Sequence, residues 1–259
     1  MARKRIRKEN IDDILQDWAY DPNGISVRMA KGDDGRDVIQ MRIDMGLLQL
    51  ETSGRPDGLR PQGFESYYDY LLSLIIHDGD EFEMSEEQCN EADREFIQLY
   101  HRRICWLAMR EFAHAVEDAD HTLGLMDYCR DHSPDEQWTI SHEQYRPFVL
   151  FHRTQAAALT QLEKNGAEAA VQEINDGLSK LRELFEKYEA EEHFDEDELV
   201  QKLVETRESL REQHDVGRTL QERLSDAVAA EQYELAAQLR DELSKRNTGG
   251  KAADNSRRR

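Results

Sequence analysis

From Phe64 to about Arg246, apolar side chains return every three or four positions with charged and polar residues between them. This period confines most of the chain to amphipathic helices. The segment 66–79 (SYYDYLLSLIIHDG) is apolar on more than one side and is expected to be well buried. The stretch after it reads as two helices. Ser85 and Gln88 have the spacing of a capping box, and a break near Arg110 to Phe112 separates a helix ending at Leu107 or Met109 from one carrying Ala115, Ala119, Leu123 and Met126. Two more helices follow, one started or interrupted near Pro147 and one beginning after Asn165 and Gly166. At a constant offset, Leu107, Val116, Ala119, Leu123 and Met126 fall opposite Leu162, Val171, Ile174, Leu178 and Leu181, a weak internal repeat.

The second pair has small Ala156, Ala157 and Ala158 before its turn and Ala167, Ala169 and Ala170 after it, which lets antiparallel helices approach closely. In this it resembles a tetratricopeptide helix hairpin. The usual set of Trp, Gly, Tyr and Pro is incomplete, so the resemblance concerns architecture. Ahead of the helical body, Asn10 as N-cap with Ile11, Ile14, Leu15 and Trp18 predicts a short helix to about Tyr20, ended by DPNG at 21–24. ISVRMA and DVIQMRID then alternate apolar and polar residues around KGDDGR, and GLLQLET follows Gly46. Together they predict a three-stranded antiparallel meander with one face to bury, packed on the later helices.

Chemistry is sparse. No segment has the GxxxxGK[ST], GxGxxG or GxSxG pattern, which removes the commonest nucleotide-binding and hydrolase signals. His114 and His121 share a helix with Asp118 between them, but zinc-binding helices use closer spacing, so no metal site is assigned. Cys105 lies one turn from His101 beside Trp106 and Leu107, a setting of packing more than of a nucleophile and its base. The three widely spaced cysteines, Cys89, Cys105 and Cys129, exclude a disulfide framework and a CxxC site. No enzyme activity, cofactor or metal is expected. In the loop SGRPDGLRPQG, Arg55, Asp57 and Arg60 sit beside Gly and Pro; they form either a small anion or peptide site or a turn whose Arg–Asp pair fixes its shape.

A net charge of −21 repels nucleic acid over most of the surface, so contact with it is confined to the basic ends, MARKRIRK and SRRR. No run of about 20 apolar residues exists to span a membrane, and the basic N-terminus leads into IDDILQDW, which reads as neither a secretory signal nor an anchor. A cytoplasmic location is expected.

The most informative stretch for function lies near the end. The acidic run 189–198 is a helix N-terminus or a linker, and 198–213 is an amphipathic helix of coiled-coil type carrying Leu199, Leu203 and Leu210. After a break at 214–218, the stretch 219–246 reads as one helical hairpin. Leu220, Leu224, Ala227 and Val228 share one helix face; past Glu231 and Gln232, a second helix offers Tyr233, Ala236, Ala237, Leu239 and Leu243, with Arg240 and Asp241 toward the outside. So short a hairpin needs a partner surface, either in the same chain or on another protein.

Leu220, Leu224, Glu231, Tyr233, Glu234, Ala236, Ala237, Leu239, Arg240, Asp241 and Leu243 give this stretch its resemblance to the UVR motif. That hairpin occurs in the excision-repair proteins UvrB and UvrC, in ClpC-type chaperones and in the adaptor McsA. The resemblance implies protein contact and no reaction. It therefore implies an adaptor that docks a partner through Leu220, Leu224, Ala227, Val228, Tyr233, Ala236, Ala237, Leu239, Arg240 and Leu243, the partner being another UVR-type hairpin or a second copy of the chain. Two other roles follow from it: an accessory factor of nucleotide-excision repair or another DNA-associated complex, and a chaperone- or protease-associated adaptor, against which the missing CxxC pairs count.

The expected fold class is mainly α, with antiparallel (tetratricopeptide-like) hairpins, a small N-terminal β-meander and a C-terminal helical hairpin. The expected divisions are a basic tail at 1–10, helix and meander at 11–63, a helical body at 64–190, the amphipathic helix and hairpin at 191–246, and a disordered tail at 247–259.

Overall fold

A computed structural model describes residues 10–78 and 82–244. The architecture is mainly helical with one small antiparallel sheet, and the chain divides into two compact units, Met1–Ala156 and Ala157–Arg259.

In the first unit, helix α1 covers only Asp12–Leu15 and does not reach Tyr20. Trp18 ends it by turning toward the sheet: its Nε1 donates to Ser26 Oγ at 2.6 Å, and the Arg28 guanidinium lies 4.1 Å from its ring centre. Strands β1 (Ser26–Lys31), β2 (Asp37–Ile43) and β3 (Gly46–Glu51) pair in sequence order, with Met29 opposite Ile39 and Ile39 opposite Leu50. The expectation of a single buried face is corrected. Consecutive Val38, Ile39 and Gln40 point to alternate sides of β2 and all are buried, so the central strand is covered on both faces. Gln40 meets this burial by accepting from Arg28 Nε at 3.0 Å and donating to Gln49 at 3.0 Å.

The helices of this unit are α2 (Tyr67–Asp78), α3 (Glu86–Ala108), α4 (Phe112–His132) and α5 (Glu136–Glu143), and α6 (Arg146–Asn165) begins in it. The capping box at Ser85 and Gln88 forms, with bonds of 3.3 and 2.7 Å. Tyr67, Leu71, Phe96, Leu125, Met126 and Val149 belong to one core. Buried charges tie distant segments to it. Arg102 pairs with Asp118 at 2.6 Å and donates to the Glu51 and Gly54 carbonyls, fastening the end of β3 to α3 and α4. Glu95, fully buried, accepts from the first backbone N–H groups of α2 (Tyr67 at 2.6 Å, Tyr68 at 3.0 Å) and lies 2.8 Å from His121 Nε2.

The second unit holds the end of α6, then α7 (Ala167–Lys187), a 3-10 turn (Glu191–Glu196), α8 (Glu198–His214), α9 (Leu220–Ala229) and α10 (233–244). Gly166, at φ 89°, is the only residue between α6 and α7, a conformation that favours glycine. The sequence offset recurs in burial: Ala115, Ala119, Thr122, Met126 and Cys129 of α4 match Ala170, Ile174, Gly177, Leu181 and Leu184 of α7. The acidic run supplies both of its expected roles in part. Most of it is the 3-10 turn, anchored by buried Phe194, while Asp197 caps α8 by accepting from Leu199 and Val200 N–H. On α8 the fully buried positions are Val200 and Leu203, and the helix packs on α7 and the 3-10 turn. Among the described residues no helix is long and apolar enough to cross a membrane.

Candidate partner-docking site

The C-terminal hairpin is closed by local devices. Thr219 Oγ1 accepts from Glu222 N–H at 3.3 Å while Glu222 accepts from Thr219 N–H at 2.7 Å, a capping box that starts α9. Glu222 also accepts from Arg211 of α8. Burial opposes ionisation of Glu222, but the Thr219 N–H and the Arg211 guanidinium outweigh it and hold the carboxyl below its ordinary range. Thr219 Oγ1 also donates to Gln172 Oε1 of α7 at 2.7 Å, which ties the start of α9 to α7. At the other end of α9 the N–H groups of Gln232 and Glu231 bond to the carbonyls of Ala227 (2.8 Å) and Val228 (3.0 Å), with Glu231 left-handed at φ 57°. This is the Schellman turn, here without glycine.

The seam between α9 and α10 is filled by the hairpin itself. Leu220, Ala227, Ala236 and Leu239 form a buried cluster, with half-buried Leu224 and Leu243 packed on it. Facing alanines at 227 and 236 allow the close approach. The expectation that Val228, Tyr233 and Ala237 share the seam is corrected: Val228 is 53% and Tyr233 69% exposed, and Ala237 is exposed as well. Successive residues on a helix point about 100° apart, so with Ala227 and Ala236 inside, Val228 and Ala237 must turn outward. Arg240 is exposed, 3.9 Å from Asp241. The helix α8 does not supply the seam; it is joined to the hairpin by the Arg211–Glu222 pair.

The site therefore has an inside and an outside. The outside carries Val228, Tyr233 and Ala237, together with Leu235, 40% exposed, which the sequence reading did not single out although it lies one turn before Leu239. Tyr233 and Leu235 line a shallow open concavity with Gln232, Glu234 and Gln238. Thr219, Glu222 and Gln172, which position the hairpin, were also not singled out. The Ser/Thr-x-x-Glu spacing at 219 and 222 was the signal for the first two.

The loop residues have a different fate. Arg55 is buried and pairs with Asp57 at 3.1 Å and Glu91 at 2.9 Å, and Gln98 of α3 bonds to Asp57 at 2.8 Å. Arg60 is in a surface pair with Glu65 at 2.6 Å. The loop is thus clamped to α3 through its Arg–Asp pair. His114 stacks on Trp106 with ring centres 4.7 Å apart, whereas Asp118 is held by Arg102 and His121 faces Glu95. Cys89, Cys105 and Cys129 are buried free thiols, and burial pushes the Cys105 thiol up to about 12, far from a reactive thiolate. His101 turns away from it, to the Ile97 carbonyl at 2.8 Å.

The hairpin is thus a capped pair of helices with a self-filled Leu/Ala seam and exposed apolar side chains on its outside. The family model of the UvrB/uvrC motif matches residues 218–245, the same segment. Comparison with curated proteins and with solved structures returns no significant match.

Proposed function

We propose that the protein is a non-enzymatic adaptor that docks a partner protein through the outer face of the α9–α10 hairpin, the partner presenting a hairpin of the same kind. The observation that carries this reading is Tyr233: a large aromatic side chain left 69% exposed, lining a shallow concavity with Leu235 on a hairpin whose seam is already full. Aromatic anchors set among apolar neighbours are the usual energetic centres of protein interfaces. The match to the UvrB/uvrC motif, which serves interaction in excision-repair proteins, supports the same reading. A cytoplasmic setting belongs to the proposal and rests on the three free thiols.

Crosslinking and mass spectrometry of the native protein from its own cells would identify the partner, and Tyr233→Asp would test the face. Because Tyr233 is exposed, the variant is expected to keep its fold by circular dichroism and to lose partner recovery about tenfold or more. Full recovery of the partner by a folded Tyr233→Asp protein would sink the idea. If the partner is a second copy, the same variant becomes monomeric in sedimentation.

The motif match also favours a second reading, an accessory role in nucleotide-excision repair. Its DNA contacts would come from the basic ends, which lie outside the described residues. DNA binding that weakens steeply with salt and vanishes when both ends are removed would support it.

A further inference from the structure

The first unit contains a cavity of about 690 Å³ between α3, α4, α5 and the start of α6. Its walls are mostly apolar, with Phe96, Met126, Phe148 and Val149 among them, and Ile97 and Tyr145 at its margin are each 59% exposed. One lining residue is out of character: Arg103, only 1% exposed.

Every other buried arginine of this unit faces a carboxylate: Arg102 faces Asp118, Arg55 faces Glu91, and Arg146 faces Glu143. Arg103 has none among the described residues. Its Nη1 donates to Thr122 Oγ1 at 3.1 Å, and its buried Nε has no acceptor. Asp118 is near enough to attract it, but both carboxylate oxygens of Asp118 are engaged by Arg102. Desolvation pushes the Arg103 guanidinium down to about 10, which still leaves it charged at neutral pH. A desolvated cation with no facing carboxylate in an apolar site is costly, and an anion entering the cavity would offset that cost.

We propose that this cavity is a binding site for a small organic monocarboxylate with an apolar body, its carboxylate paired with Arg103 and its body held among Phe96, Met126 and Phe148. The volume is in the range of small-molecule sites. A guanidinium fork matches a carboxylate in shape. The charge count also selects the ligand. Arg103 can pair locally with one carboxylate, whereas a phosphate monoester dianion would bring a second negative charge toward a lining that already carries Asp93.

Titration calorimetry on the full chain with decanoate and with decanol separates the carboxylate from the alkyl body. The expected result is that decanoate binds about tenfold or more tightly than decanol, and raises the melting temperature of the first unit. In Arg103→Met, which keeps the side-chain length and removes the charge, decanoate is expected to fall to the affinity of decanol while decanol is unchanged. Equal binding of the two ligands to the wild-type chain, binding of neither, or undiminished decanoate binding by folded Arg103→Met would each overturn the proposal. The wild-type comparison decides the question if Arg103→Met does not fold.

Discussion

The first unit and the C-terminal hairpin hold themselves together in opposite ways. The first unit joins segments far apart in sequence through buried charge: Arg102 reaches from α3 to Asp118 and to the end of β3, and Glu95 reaches from α3 to the start of α2. The hairpin is closed mainly by neighbours, a seam of leucines and alanines with a capping box and a Schellman turn, and its start is tied to the helices before it by Thr219–Gln172 and Glu222–Arg211. Long-range charge clusters make a unit that fails as a whole when one member is removed. A local seam gives an element that can open alone and that keeps an exposed outer face.

The largest effect that would sharpen this contrast is expected from Asp118→Ala. It strands Arg102 in a buried site, at a cost of about 3–5 kcal/mol, and should destabilise the sheet, α3 and α4 together. Hydrogen exchange resolved by segment is the measurement. If only α4 loosened, the cluster would not be acting as a cross-link.

Leu239→Ala comes next. Removing a buried leucine from the seam costs about 2–4 kcal/mol, which a two-helix element can scarcely absorb. Protection should vanish across 220–244 and persist in the first unit. Global loss in this variant would break the comparison, because the hairpin would then be part of the general core.

A pH effect separates the two regions by another route. The His152 ring packs against Phe148 with centres 4.2 Å apart, and its buried Nδ1 has no partner. Burial, helped by the charge of Arg103, pushes its pKa down to about 4. Between that value and the unfolded value near 6.5 the unfolded chain binds the extra proton, so stability from this group is complete above pH 6.5. It is lost as the pH falls toward 4, by up to about 3 kcal/mol. His152→Phe should flatten that slope, followed by urea melts at pH 7 and pH 5. The hairpin's own titrating group, Glu222, is also depressed, so its contribution is kept until the pH falls below the ordinary glutamate range. An unchanged slope in His152→Phe would move the titration elsewhere.

How far these features were legible in the sequence follows from the same contrast. The strands, the capping box at Ser85, the breaks near Arg110 and after Asn165, and the hairpin over its described residues 219–244 all rest on local period and local turn chemistry, and these elements appear where they were read. What was not legible depends on partners many residues away. The burial of Arg55 against Glu91, the grip of Arg102 on the Glu51 carbonyl and the isolation of Arg103 require the folded neighbours. Within the hairpin the period located the seam, but runs such as Ala227–Val228 and Ala236–Ala237 hide which member faces in. The backbone, set by the turn at Glu231, decides that.

That turn offers the smallest test. Glu231 is left-handed at φ 57°, where a side chain costs about 1–2 kcal/mol and glycine costs little. Glycine gives back part of that gain by loosening the unfolded chain, so Glu231→Gly should stabilise the hairpin by about 0.5–1 kcal/mol. The matched change in the first unit is Arg110→Gly, at φ 63° in the Schellman turn that ends α3. Arg110 lies 5.7 Å from the Phe112 ring centre, a cation–π contact that the substitution would remove, so its gain should be smaller. Exchange rates at 220–244 in the one variant and at 86–132 in the other measure the two gains separately. A larger gain at Arg110 than at Glu231 would mean that the local turn limits the first unit more than the hairpin, the reverse of what long-range charge clusters in one and a local seam in the other require.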